Sequence, residues 1–347
     1  MLFAAVVFVC ASFALASSHR RSGGLTVELT GPQSITSLDD LIITAAVTNG
    51  NSEDIQIQTY GTVLDTLPTH AFNVTTADNT ELNFIGIELS VDLSQAPFTT
   101  IPAGETLTVN RSIADLYDFA SVGETTLTIS LYNTYMVARS QDNLTVVEVS
   151  AYSPVTVNVP VGLERRNVFT RALIECTSNL TEYLFISEAY LESKALAARA
   201  AAYVTLNGLN DSLYESYFGL GGVLDVVSVY DAVATEVNSS ISISCTDPDD
   251  YCTAGVVTYT VTQSSEIVVC DSFFDEVTTS DLCSTTTVDD RDVRGGTLLR
   301  DLTLITSGTS SLVNGCILDR LLLGPLARIN ADSYSCFATQ VYQDAAC

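Results

Sequence analysis

Histidine is nearly missing from this chain: of 347 residues only His19 and His70 carry an imidazole, and tryptophan is absent. From residue 167 onward no histidine occurs, so Ser-His-Asp and Cys-His relays lack their base there. Basic residues are scarce as well. Fourteen Lys+Arg stand against 41 Asp+Glu, a formal charge of -27, which excludes nucleic-acid backbones and anionic membrane surfaces as partners because both would repel the protein. No segment beyond the N-terminus reaches the ~18 to 20 consecutive apolar residues of a membrane helix, so no membrane insertion is expected. Apart from Cys10, the first 175 residues have no cysteine. The chain is nonetheless 47% hydrophobic and only 16% charged, which excludes a disordered acidic tail and requires a core.

What is present points outside the cell. Leu2 to Ala16 is an apolar run ending in Ala14-Leu15-Ala16, an A-x-A cleavage pattern too short to span a bilayer; residues 1–16 read as a secretory signal peptide, although without a basic n-region. Eight cysteines, Cys176, Cys245, Cys252, Cys270, Cys283, Cys316, Cys336 and Cys347, form an even set suited to disulfides in an oxidising compartment. A zinc cluster would need closely paired cysteines, and none are spaced that way. Six N-x-S/T acceptors, at Asn73, Asn110, Asn143, Asn179, Asn210 and Asn238, are glycosylation sites on a secreted chain. The C-terminus has no hydrophobic tail of the lipid-anchor type.

The texture changes midway. Residues 24–161 alternate in short β-type runs, among them Leu25–Leu29, Leu41–Val47, Leu82–Leu93 and Thr125–Leu131, broken by turn clusters such as Thr48–Ser52; this predicts an antiparallel β-sandwich. Tyr183–Tyr203 is Ala/Leu/Glu-rich without Gly or Pro and predicts a long helix. Further helices are expected at Ser212–Phe218, Val223–Val237, Thr297–Ile305 and Leu318–Tyr342, the last interrupted by Gly324-Pro325, with strands at Ile241–Cys245, Val256–Val261 and Ile267–Cys270. The second half is thus α+β and mainly helical. Between the halves, Glu164-Arg165-Arg166 resembles a kexin-type processing site, and Arg20-Arg21 offers another. The organisation read from this is a signal peptide (1–16), a sandwich domain (17–166) and a helical domain (167–347). That last domain carries eight Lys+Arg against 24 Asp+Glu, or -16.

The second half is similar to the deuterolysin group of secreted, mostly fungal, zinc endopeptidases, the aspzincins. The resemblance is carried in chain order by Arg171–Cys176, Glu215–Gly219, Ile267–Phe274, Gly296–Leu304, Gly308-Thr309 with Gly315, and Asn330–Tyr334. In the first half, Leu25–Asn49, Leu67–Phe72 and Ile113–Phe119 resemble the family's propeptide. The resemblance implies a zincin-like domain behind a prosegment, as in a zymogen cut at Arg166. It also implies the bridges Cys176–Cys245, Cys252–Cys270 and Cys283–Cys347, leaving Cys316 and Cys336 for a fourth.

In active members of that family two histidines one helical turn apart and an Asp hold one zinc ion, a Glu acts as general base, and a Tyr stabilises the oxyanion. The corresponding positions here are Arg300, Leu304 and Ser311 for the ligands, Asp301 for the base and Asn314 for the tyrosine. Arginine cannot ligate, leucine has no donor atom and serine ligates poorly. No metal or other cofactor is therefore expected, and no catalytic residue. Asp289, Asp290 and Asp292 read as a solvated acidic loop rather than a calcium site. Arg300 and Asp301, as helix neighbours, should point apart. His70 reads as an exposed loop side chain rather than a ligand, and Tyr214, Tyr217 and Phe218 as core. The expectation is a secreted, extracellular, monomeric pseudopeptidase that binds peptides or a secreted protein. The alternatives are an active zinc metalloendopeptidase and an adhesive surface glycoprotein, the latter requiring the halves to stay joined.

Overall fold

The computed structural model describes residues 24–114, 116–119, 122–140, 143–160, 176, 180–236 and 241–347. The expected signal peptide, both arginine pairs, most of Arg171–Cys176 and the acceptors Asn179 and Asn238 lie outside the described residues. The first half supplies twelve strands: β1 (Leu25–Thr30), β2 (Ile42–Asn49), β3 (Ile55–Gln58), β4 (Phe72–Thr75), β5 (Ile87–Val91), β6 (Phe98–Ile101), β7 (Thr106–Ser112), β8 (Thr125–Leu131), β9 (Tyr135–Ser140), β10 (Asn143–Glu148), β11 (Ala151–Ser153) and β12 (Val155–Val159). Eleven of them form three sheets ordered β11-β1-β2-β7, β10-β9-β3-β6 and β12-β8-β4. Alternation explains the assembly. Leu25, Val27 and Leu29 of β1, Ile43, Ala45 and Val47 of β2 and Leu127, Ile129 and Leu131 of β8 point inward on every second residue and share one core with Phe72 and Val74. One pairing departs from the antiparallel expectation, since β1 runs parallel to β11. Asn110 and Asn210 are exposed and Asn73 is half-buried on β4.

The second half builds α1 (Leu180–Asn207), α2 (Ser212–Phe218), α3 (Val223–Ala234), β13 (Ser242–Ser244), β14 (Val256–Val261), β15 (Glu266–Val269), α4 (Arg294–Ser307), α5 (Cys316–Asp319), α6 (Gly324–Ala327) and α7 (Ala331–Ala346). The helix expected over 318–342 is three separate pieces. α5 already ends at Asp319, Pro325 sits in the first turn of α6 where its missing amide hydrogen is not needed, and α7 opens only after Asn330. Helix α1 buries Ile186, Ala189, Ser193, Leu196, Ala197, Ala200 and Val204, a stripe at helical spacing, against α3, α4 and α7. Helix α4 is different: every residue from Arg294 to Leu304 is buried, and Gly308 in the left-handed region ends it. Tyr214, Tyr217 and Phe218 are core residues packed on Phe337. Bridges join Cys176 to Cys245, Cys252 to Cys270, Cys283 to Cys347, and Cys316 to Cys336.

The twelfth strand of the first half does not join these three sheets. β5, within the run read as a sandwich strand, pairs antiparallel with β14 and completes a sheet ordered β13-β15-β14-β5. Alternation marks a strand but not its partner, so this crossing was invisible in the sequence. Ile87, Leu89, Val91 and Ala96 pack with Val256, Tyr259, Val261 and Val268 on one face of that sheet, while Val257, Ile267 and Val269 face the helices. A second apolar contact joins Val137 to Val313 and Leu318.

The halves approach closely at Gly255, just before β14. Its φ is +79° and a Cβ there would lie 2.6 Å from the Ala96 amide nitrogen, while its carbonyl accepts from Asp92 N at 2.8 Å. Gly255→Ala should destabilise the oxidised protein by about 2 kcal/mol or more, from left-handed strain plus a backbone clash, read as a lower urea midpoint. An unchanged midpoint would contradict the close approach.

Candidate functional site

Helix α4 carries two charges into the middle of the second core. Arg300 and Asp301 are each 0% exposed. The guanidinium is wrapped on several sides: Nη1 donates to Asp301 Oδ1 at 2.5 Å, Nη2 donates to the Leu89 carbonyl on β5 and to Ser311 Oγ, and Nε lies 3.9 Å from Asp332 Oδ1. Asp301 uses its other oxygen to accept from Thr258 Oγ1 at 2.5 Å. The expectation that neighbours on a helix point apart fails here. Their Cβ directions do diverge, but Arg300 has a long stem, and in a dry core Asp301 is the counter-charge within its reach.

A second pair flanks the first. Arg291 Nε donates to Asp332 Oδ1 at 2.5 Å, and its Nη2 donates to Ser90 Oγ on β5 at 3.1 Å. Asp332 Oδ2 accepts from Gly315 N at 2.6 Å, which fixes the loop between α4 and α5. Asn330 continues that role, with Oδ1 accepting from Leu312 N and Val313 N and Nδ2 donating to Asp319 at 2.9 Å. Two cations thus face two anions, Asp301 and Asp332. Two further acids sit close by. Burial, followed by the charge of Asp332, pushes Asp319 far above the carboxylate range. Burial likewise pushes Glu276 up to about 8, against the hydrogen bond from Thr297 Oγ1 at 2.7 Å. Burial also raises Asp301, opposed chiefly by Arg300.

The structure brings Arg300 and Ser311, expected from the resemblance at the first and third ligand positions, into hydrogen-bond contact; Leu304 follows one turn on, buried, and Asn314 lines a small pocket with Ser311, Glu88 and His70, its Oδ1 without a hydrogen-bond partner. These residues do not fit a zinc ion. The donor set is a guanidinium, an aliphatic chain and a hydroxyl, with a fixed positive charge held by hydrogen bonds where a dication would sit. Cys316, Asp319 and Cys336 converge, but both sulfurs are in a disulfide. Asp289 pairs with Arg320 at 2.9 Å, while Asp290 caps Thr287 and Asp292 accepts from Thr286.

His70 is not an exposed loop side chain. It is half-buried, stacked between Phe84 and Tyr132 with centroids 4.0 and 3.6 Å away, and its Nδ1 lies 3.2 Å from Glu88 Oε1. Glu88 Oε2 in turn accepts from Ser311 N at 3.1 Å. Sequence reasoning also missed Arg291, Asp319, Asp332, Glu276, Glu88 and Ser90. Only Asp332 carried a signal, as part of Asn330–Tyr334.

Glu276 generates a pH dependence with a definite sign. Unfolded, it loses its proton near 4.5; folded, near 8. Between those values the unfolded state binds fewer protons, so stability falls as pH rises, by at most about 1.4 kcal/mol per unit, and the fall ends above pH 8. Glu276→Gln removes this slope. Urea unfolding at pH 5 and pH 7.5 should show wild type losing stability relative to the variant; parallel pH profiles would contradict the buried acid.

Comparison with known proteins agrees with the resemblance. The sequence profile of a family described as "HRXXH: Putative peptidase family" matches residues 124–295, a segment without histidine that stops just before Gly296–Leu304. A "Neutral protease 2 homolog" of Pyricularia oryzae is 27% identical over 86% of this chain and 88% of its own length. "Neutral protease 2" of Aspergillus oryzae is 27% identical over 95% of this chain and 97% of its own. A solved "zinc peptidase from Grifola frondosa" overlays 48% of this chain and 98% of its own with a TM-score of 0.38 and 18% identity. Over most of its length the chain is similar to the neutral protease 2 proteins of fungi, and over its middle part to the HRXXH putative peptidase family.

Proposed function

We propose that this protein is a secreted, non-catalytic member of its family: a signal peptide (1–16), a prosegment-like sandwich (17–166) and a zincin-like domain (167–347) whose metal site is closed by an arginine. The observation that carries the reading is Arg300, buried and bonded to Ser311, the two residues that the family resemblance expects at the first and third ligand positions. Peptide hydrolysis by the family's route needs a metal-activated water and a free base. Asp301 stands where the base would be, but one oxygen is held by Arg300 and the other by Thr258. What remains is half of the chemistry. Arg300 can hold and polarise a peptide carbonyl, as it does with Leu89, while no group among the described residues is placed to deliver a nucleophile to it. Such a site holds an extended strand, here β5, without cutting it. Four disulfides and a large negative charge support an oxidising, extracellular setting and a soluble monomer that takes peptides or a secreted protein as partner, not nucleic acid.

The test is casein hydrolysis by the purified protein, uncut and cut after Arg166, with added zinc, beside neutral protease 2 of Aspergillus oryzae. No cleavage above buffer is expected in either form. Chelator-sensitive cleavage would establish the opposite reading, an active zinc metalloendopeptidase.

A further inference from the structure

We propose that Arg300 makes the N-terminal half a retained subunit instead of a removable cover: β5 is the resident ligand of the former cleft and stays bound after the chain between the halves is cut. This rests on the reading of the site as metal-free. The argument starts from register. Across Ile87↔Val261 to Val91↔Val256, three consecutive residues of β5 each meet a different polar group of the other half. Glu88 Oε2 accepts from Ser311 N at 3.1 Å, the Leu89 carbonyl accepts from Arg300, and Ser90 Oγ accepts from Arg291 at 3.1 Å. A slip by one residue would turn every side chain to the wrong face and break all three contacts, so the strand has one seat.

Release is costly for two physical reasons. Arg300 is permanently charged, and its bond to Leu89 is charge-assisted; losing it would strip a buried guanidinium whose Nε already lacks a hydrogen-bond partner. All six residues of β14 are buried, and departure of β5 would open them as an apolar sheet edge. Contacts around the strand add area. Tyr60 Oη bonds Thr253 Oγ1 at 2.8 Å and the Ala254 carbonyl at 3.1 Å, and Asn133 Nδ2 donates to the Leu312 carbonyl at 2.9 Å. A zinc ion facing a departing strand could take up water in its place, whereas this guanidinium is walled in by Asp301, Ser311 and Leu89.

The full chain, carrying a sequence-specific protease site within residues 161–175, would be folded, oxidised, cut and diluted to about 10 nM, a range that separates tight from weak complexes. The halves should co-elute, and hydrogen exchange should show the β14 amides still protected. Arg300→Met with Asp301→Asn, which removes the charge pair together, should raise the dissociation constant about 10- to 100-fold, the worth of a charged hydrogen bond. Ser90→Ala, on the strand itself, should raise it several-fold and serves if the core variant fails to fold. Separation of the cut wild-type halves at this dilution, or variants that dissociate no faster than wild type, would overturn retention. A parallel arm with chelator separates the two claims: release only on chelation would place a metal in the cleft and sink the metal-free reading, whereas release without chelator sinks retention alone.

Discussion

A guanidinium in a protein interior needs partners for its donors, and the Nη donors of Arg300 find theirs in both halves of the chain. Asp301 and Ser311 come from the helical second half, the Leu89 carbonyl from the first. Buried charge is costly to desolvate, by several kcal/mol per ion even after relaxation, so an arginine here is tolerable only with its carboxylate and its carbonyl in place. The site therefore depends on β5, and β5 on the site. The neighbouring pair of Arg291 and Asp332 repeats the arrangement, since Arg291 also reaches across to Ser90.

That dependence orders much of the rest. From Arg294 to Leu304 α4 is buried, which carries these charges away from water between α1, α7 and the sheet. The loop after it is held by Asp332 and Asn330, which brings Ser311 back to the helix. His70, the one histidine among the described residues, is drawn toward the same place through Glu88. In a metal site these positions would converge on an ion; here they converge on a side chain that carries its own charge and its own geometry.

Much of this was legible in the sequence, where local rules suffice. α2 occupies Ser212–Phe218 and β14 Val256–Val261, as periodicity indicates, and α1 extends a few residues beyond its Ala-rich stretch. The family likeness pointed to positions 300, 304 and 311, and the fold joins the first and last of them. What stayed hidden was long-range. Alternation in residues 82–93 marks a strand without naming the sheet it joins, and a lone His70 gives no sign of the aromatic rings that will flank it. Arg291 looks like any loop arginine until the fold sets it against Asp332. The break into α5, α6 and α7 was signalled by Gly324-Pro325, but not how short the first two pieces are.

The most direct test of the account is the metal content of the oxidised full chain, purified without chelator, equilibrated with excess zinc and freed of unbound ion. The guanidinium at Arg300 predicts far less than one tightly held ion per chain, because no ligand set is left to compete for it. About one zinc per chain, lost on unfolding and regained on refolding, would contradict the account and require ligands other than residues 300, 304 and 311.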